Sequence, residues 1–160
     1  MTISCTSVGV KTANVHDLDL ASYQTYNYME FNYMRYDSMP YNEDIYLYFI
    51  QQMNNHMRAK GLELSDEPKL VLNIGVVVRQ EEQIEKADDR KYMGQQLLNR
   101  EDRVVGVYDI GDVIIDFVDN QKKTLVWRAS IEAVFSKKED KMKKKIEKSM
   151  AKIFESFPSK

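Results

Sequence analysis

A chain of 160 residues, 43% hydrophobic and 30% charged, holds one domain with a real core and is short for two. Its net charge of −2 divides unevenly: residues 137–160 carry nine lysines against four acids, which leaves −7 for residues 1–136. An acidic body argues against a nucleic-acid partner, a single cysteine excludes an internal disulfide, and no apolar run approaches the ~20 residues of a membrane span.

At the N-terminus, Thr2-Ile3-Ser4-Cys5-Thr6-Ser7 has the small residues before a cysteine that close a bacterial lipobox. Only four residues precede Cys5, too few for the charged and apolar regions of a signal peptide. On the tetrapeptide alone, Cys5 is therefore either a lipid attachment point whose leader lies upstream or an ordinary free thiol. Residues 8–16 suit a first strand. The run SYQTYNYMEFNYMRYD that follows is dense in β-forming aromatics, and eight of the ten tyrosines fall between Tyr23 and Tyr48. Alternation puts Tyr23 and Thr25 on one face and Tyr26 and Tyr28 on the other, so neither face is clearly the solvent face. Tyr26, Tyr28, Tyr33 and Tyr36 are candidate surface-binding residues, since tyrosine offers a flat apolar ring with a polar rim. The competing reading is that they fill a half-buried strand.

Asn42 is a good N-cap, Glu43 and Asp44 suit the positive end of a helix dipole, and Ile45, Phe49, Met53 and Met57 repeat every four residues up to a stop at Gly61. Tyr41 is placed to staple onto Tyr46. His56 falls at the polar edge of this helix and reads as a solvated side chain, and His16 has no metal-spaced neighbour. LVLNIGVVV, residues 70–78, reads as an interior strand. Residues 79–103 are mostly polar and fit a short helix, an edge strand or an irregular excursion.

From Gly111 the signal strengthens. Val113, Ile115 and Phe117 share one face of a strand, and Leu125, Trp127, Ala129, Ile131, Ala133 and Phe135 share one face of the next. Met142, Ile146, Met150, Ile153 and Phe157 then draw a single helical stripe. Opposed residues of an antiparallel pair share a face, so the two apolar sets permit Asp116 opposite Val126 with a three-residue loop, or opposite Arg128 with the five-residue loop Asn120 to Thr124. The opposed charges favour the Arg128 register by about 0.2 to 1 kcal/mol. These periodicities predict an α/β (α+β) two-layer sandwich, mostly antiparallel, with helices near residues 43–60 and 138–157 on one face.

No Gly-rich phosphate loop, nucleophile elbow or paired histidines are present. Asp112, Asp116 and Asp119 are spaced as acid, base or metal ligands could be, but the strand pattern assigns them to an outer face and a turn. No catalytic residue, metal or cofactor is expected. Lys141, Lys145, Lys148 and Lys152 form a basic helical stripe that would suit anionic lipid or plain solvent.

The order of these elements, with YxTY at Tyr23, Thr25 and Tyr26, then KGL at Gly61, then G-x-V-I-I-D-F-V-D with Gly111, Asp116 and Asp119, resembles the bacterial envelope lipoproteins called domain of unknown function 4136. The resemblance is most specific in TLVWR (Leu125 to Arg128) and in IFxxFP (Ile153, Phe154, Phe157 and Pro158). It implies a small α/β domain, residues 8–160, on a tether, residues 1–7, lipidated at Cys5. It also implies a periplasmic address at the outer membrane, with an envelope protein or glycan as candidate partner and no known catalytic residues. Trp127, Asp116, Arg128, Phe154 and Phe157 are expected to be structural. A true start at Met1 would instead leave the protein in the cytoplasm, and the alternative function is an envelope enzyme with an unrecognised site.

Overall fold

The computed structural model describes residues 8–16, 18–29, 32–35, 42–85, 103–134 and 136–160. Seven strands form one sheet: β1 (Gly9–Asn14), β2 (Thr25–Tyr28), β3 (Asn32–Arg35), β4 (Glu63–Leu64), β5 (Leu70–Glu85), β6 (Arg103–Asp119) and β7 (Thr124–Val134). Across the sheet the order is β1-β7-β6-β5-β2-β4, with β3 alongside β5 beyond β2. The pairs β1/β7, β7/β6 and β6/β5 are antiparallel, whereas β2 and β3 run parallel to β5 because the chain returns through a helix rather than a tight turn. Helices α1 (Glu43–Ala59) and α2 (Glu139–Ser156) cover one face, giving the two-layer α/β sandwich.

The core is the meeting of these layers. Leu70, Leu72 and Ile74 of β5, Ile115 and Phe117 of β6, and Trp127, Ala129 and Ile131 of β7 point at Met53 and Met57 of α1 and at Ile146, Met150 and Ile153 of α2. Trp127 is 2% exposed, and its ring stands edge-on to Phe117 at 5.1 Å and to Phe157 at 5.0 Å. The TLVWR and IFxxFP motifs therefore meet in a single aromatic cluster, closed by Phe154 at 5.3 Å from Phe157. Their specificity is a packing specificity.

The β6/β7 register places Asp116 opposite Arg128 and Phe117 opposite Trp127. The loop differs from the expected five residues: the register shifts after Phe117, Thr124 pairs with Asp119, and the loop is the four residues Asn120 to Lys123. Val126 is the extra residue of a β-bulge. The bulge brings Val126 into the core and leaves Leu125 half-buried, breaking the strict alternation read from the sequence. The carbonyl of Val126 accepts from the Val15 and His16 amides, and the φ of Lys123 is 55°, which closes the turn.

Asn42 caps α1, its side-chain oxygen accepting from the Ile45 amide at 3.2 Å. At the other end the Leu62 amide donates to Met57 and the Gly61 amide to Arg58, the paired bonds of a Schellman stop, with Gly61 at φ 82°. The neighbouring Lys60 ammonium donates to the Phe157 carbonyl at 3.1 Å, so the KGL stop also holds the C-terminal motif. Gly61→Ala should lower stability by about 1 to 2 kcal/mol, the cost of a left-handed residue carrying a Cβ, measurable as a shifted urea midpoint.

Part of the polar region 79–103 is strand. Beyond the end of β7, residues 80–85 and 103–109 pair with each other and, among the described residues, with no further strand. The expected staple at Tyr41 and the face assignment of Phe135 lie outside the described residues.

Candidate functional site

The tyrosines of β2 are not a surface platform. Tyr26 lies opposite Leu70 and Tyr28 opposite Leu72, so both face the helices; Tyr26 is 2% exposed and Tyr28 half-buried. The parallel register, which residue pattern alone did not fix, turns this side of the alternation inward. Both hydroxyls donate to the side-chain oxygen of Asn54 on α1, each at 2.7 Å, and the rings meet edge-on at 5.9 Å. Burial pushes both phenol pKa values up, so the pair stays protonated as a buried latch. Tyr33 is opposite Val76 in β3, where only the backbone is described, and Tyr36 and Cys5 lie outside the described residues.

The three aspartates that invite a catalytic reading are each engaged by the fold. Asp112 pairs with Arg79, whose guanidinium also reaches Glu81 and Glu132, both at 3.1 Å. Asp116 takes a two-pronged bond from Arg128 at 2.5 and 2.8 Å. Asp119 accepts the Gln121 and Lys122 amides at 2.9 and 2.8 Å on one oxygen and the Tyr23 hydroxyl at 2.7 Å on the other. The Lys122 amide and then the Tyr23 hydroxyl hold the Asp119 carboxyl below its usual range. Because its guanidinium partner is about half exposed, Asp116→Asn should change stability by no more than about 1 kcal/mol. Equilibrium urea unfolding measures that change.

His56 departs from its expected solvated position. It stacks on Phe154 of α2 with ring centroids 4.8 Å apart and planes at 10°, and burial, followed by the nearby Lys60 charge, lowers its pKa. A groove of about 440 Å³ runs between the N-terminal halves of the helices, lined by Asp44, Leu47, Tyr48, Gln51, Glu139 and Lys143. Lys143 meets Glu139 at 2.6 Å and stands 5.3 Å from the Tyr48 ring, while the Tyr48 hydroxyl donates to Glu147. Among the described residues no three His, Cys, Asp or Glu side chains gather as metal ligands, and no helix is long and apolar enough to cross a membrane.

The Tyr23–Asp119 bond escapes sequence reasoning because it joins residues 96 positions apart. It is formed because β1 and β2 lie towards opposite sides of the sheet, so residues 15–24 must cross the end where the β6/β7 turn sits.

Solved structures share this architecture at low identity. The PelC dodecamer from Paraburkholderia phytofirmans matches at 14% identity and TM-score 0.52, covering 96% of this chain and 99% of that one. A single-residue variant of that dodecamer matches at 14% and 0.52, covering 92% and 94%. A PDZ domain protein from Parabacteroides distasonis matches at 9% and 0.53 over 96% of this chain but 37% of its own. No curated protein matches. The model of the family described as Domain of unknown function (DUF4136) matches residues 10–159, nearly the whole of the chain, and the protein belongs to that family.

Proposed function

We propose that this protein is a non-catalytic binding domain of the bacterial envelope, held in the periplasm at the outer membrane by a lipid on Cys5. One observation carries the reading: the polar residues that mark the family are already spent on the fold, Asp116 on Arg128 and Asp119 on Tyr23 and the turn amides. A general acid or base must reach a substrate proton, and the carboxylate oxygens of Asp116 and Asp119 are held by these partners instead. The lipid tether rests on the Ile3-Ser4-Cys5 sequence and on the family resemblance; Val8, three positions after Cys5, is buried. The candidate partner is an envelope protein or glycan.

Fractionation tests the address. With the gene's own upstream sequence restored, the protein should sediment with outer membranes, and Cys5→Ser should release it to the soluble fraction. Equal solubility of both would overturn the tether.

A further inference from the structure

The described fold begins beside α2. The Val8 carbonyl accepts from the Lys152 ammonium at 3.1 Å, and β1 runs on from there along the sheet edge next to the helix. Val8 is three positions after Cys5, and extended chain spans at most about 3.5 Å per residue, so a lipid on Cys5 would keep this end of the body within roughly 10 Å of its membrane. That reach is close to the distance over which surface charge is felt at physiological salt, about 8 Å. Whatever face of the body surrounds Val8 therefore lies in the field of the lipid headgroups.

That face is basic. Lys141, Lys144, Lys148 and Lys152 are exposed and recur at steps of three and four, one stripe on the side of α2 turned away from its buried Met142, Ile146, Met150 and Ile153. The stripe differs from the sequence expectation at one position: Lys145 turns to the sheet, where its ammonium donates to the Val134 carbonyl, and Lys144 takes its place. Among the described residues Lys141, Lys144 and Lys148 have no carboxylate partner. Of the helix's four acids Glu139 is on Lys143 and Glu147 on Tyr48, and exposed Asp140 and Glu155 stand one at each end of the stripe. The rest of the chain is acidic, so this surplus of positive charge is confined to the helix at the tether.

We propose that the Lys141, Lys144, Lys148 and Lys152 face of α2 docks on anionic phospholipid headgroups of the membrane that carries the lipid anchor. The inference rests on the tethered reading above and adds an orientation: α2 lies on the bilayer and the open face of the sheet points away from it.

Vesicle sedimentation of the unlipidated full chain tests the face independently of the anchor. The protein should partition onto vesicles containing phosphatidylglycerol, weakly onto phosphatidylcholine alone, and less as salt rises. Lys141→Gln, Lys144→Gln and Lys148→Gln combined should weaken partitioning about a hundredfold, three lysines at about 1 kcal/mol each. The same charge change at Lys69, Lys122 and Lys123, exposed at the opposite end of the sheet, should change it little. Equal partitioning of the two triple variants, equal binding to neutral vesicles, or retention on a soluble acidic polymer without vesicle binding would overturn the proposal. Solubility of the Cys5→Ser and wild-type proteins alike would instead overturn the tether, while a phosphatidylglycerol-dependent difference between the triple variants would still support the lipid face.

Discussion

Trp127→Ala should destabilise the protein by about 3 to 5 kcal/mol, a third or more of the stability of an ordinary domain. The indole is buried between two aromatic rings that cannot both collapse into the space it leaves: Phe117 is fixed in β6 by pairing with β5 on one side and β7 on the other, and Phe157 by the Lys60 bond to its carbonyl. A residual cavity is the expected result, and it adds to the lost transfer free energy. In a thermal melt the change amounts to a fall of roughly 10 °C or more for a chain of this size. Phe157→Ala should cost a similar amount. The double variant should cost less than the sum by about 0.5 to 1.5 kcal/mol, the coupling of an aromatic pair. Strict additivity would mean that the two motifs do not share one core.

Asp119→Ala should cost about 2 to 3 kcal/mol, because one charged acceptor serves two turn amides and the hydroxyl that pins the chain crossing the end of the sheet. The pH dependence follows from the two partners. Asp119 titrates below its ordinary range when folded, so its contribution is present above the ordinary value of 3.8 and is lost as pH falls below it. Burial, then the Asp119 bond, pushes Tyr23 from 10.0 up to about 12; its contribution is complete below pH 10 and disappears as pH rises towards 12. Tyr23→Phe removes the hydroxyl, so the stability gap between wild type and variant should narrow over that alkaline interval. A gap that is flat with pH would show that the hydroxyl does not bond a carboxylate.

The parts of the fold that were legible are those in which side-chain period and charge agree. In β7 and α2 the apolar residues keep one period over many positions, and the Asp116–Arg128 pairing follows from parity together with opposite charge. The bulge at Val126 was not legible, because an inserted residue leaves no periodic trace and both neighbours, Leu125 and Trp127, are also apolar. Nor was the inward face of β2, since aromatic residues occupy both sides of its alternation and only pairing with β5 decides between them. His56 misled because a helical wheel records the edge of one helix and not the Phe154 ring that a second helix brings to it. The candidate site was legible as three aspartates, and the engagement of Asp116 by Arg128 with it; that of Asp112 and Asp119 needed the partners that folding supplies, Arg79 and Tyr23.

The central claim is that this fold is carried to the envelope by a lipid on Cys5, three positions before the buried Val8. Intact mass of the protein, expressed from its gene with the native upstream sequence and extracted in detergent, decides it. The account predicts a mature chain that begins at Cys5 and carries the added mass of acyl groups on that cysteine. A chain that retains Met1 to Ser4 with an unmodified thiol would contradict it.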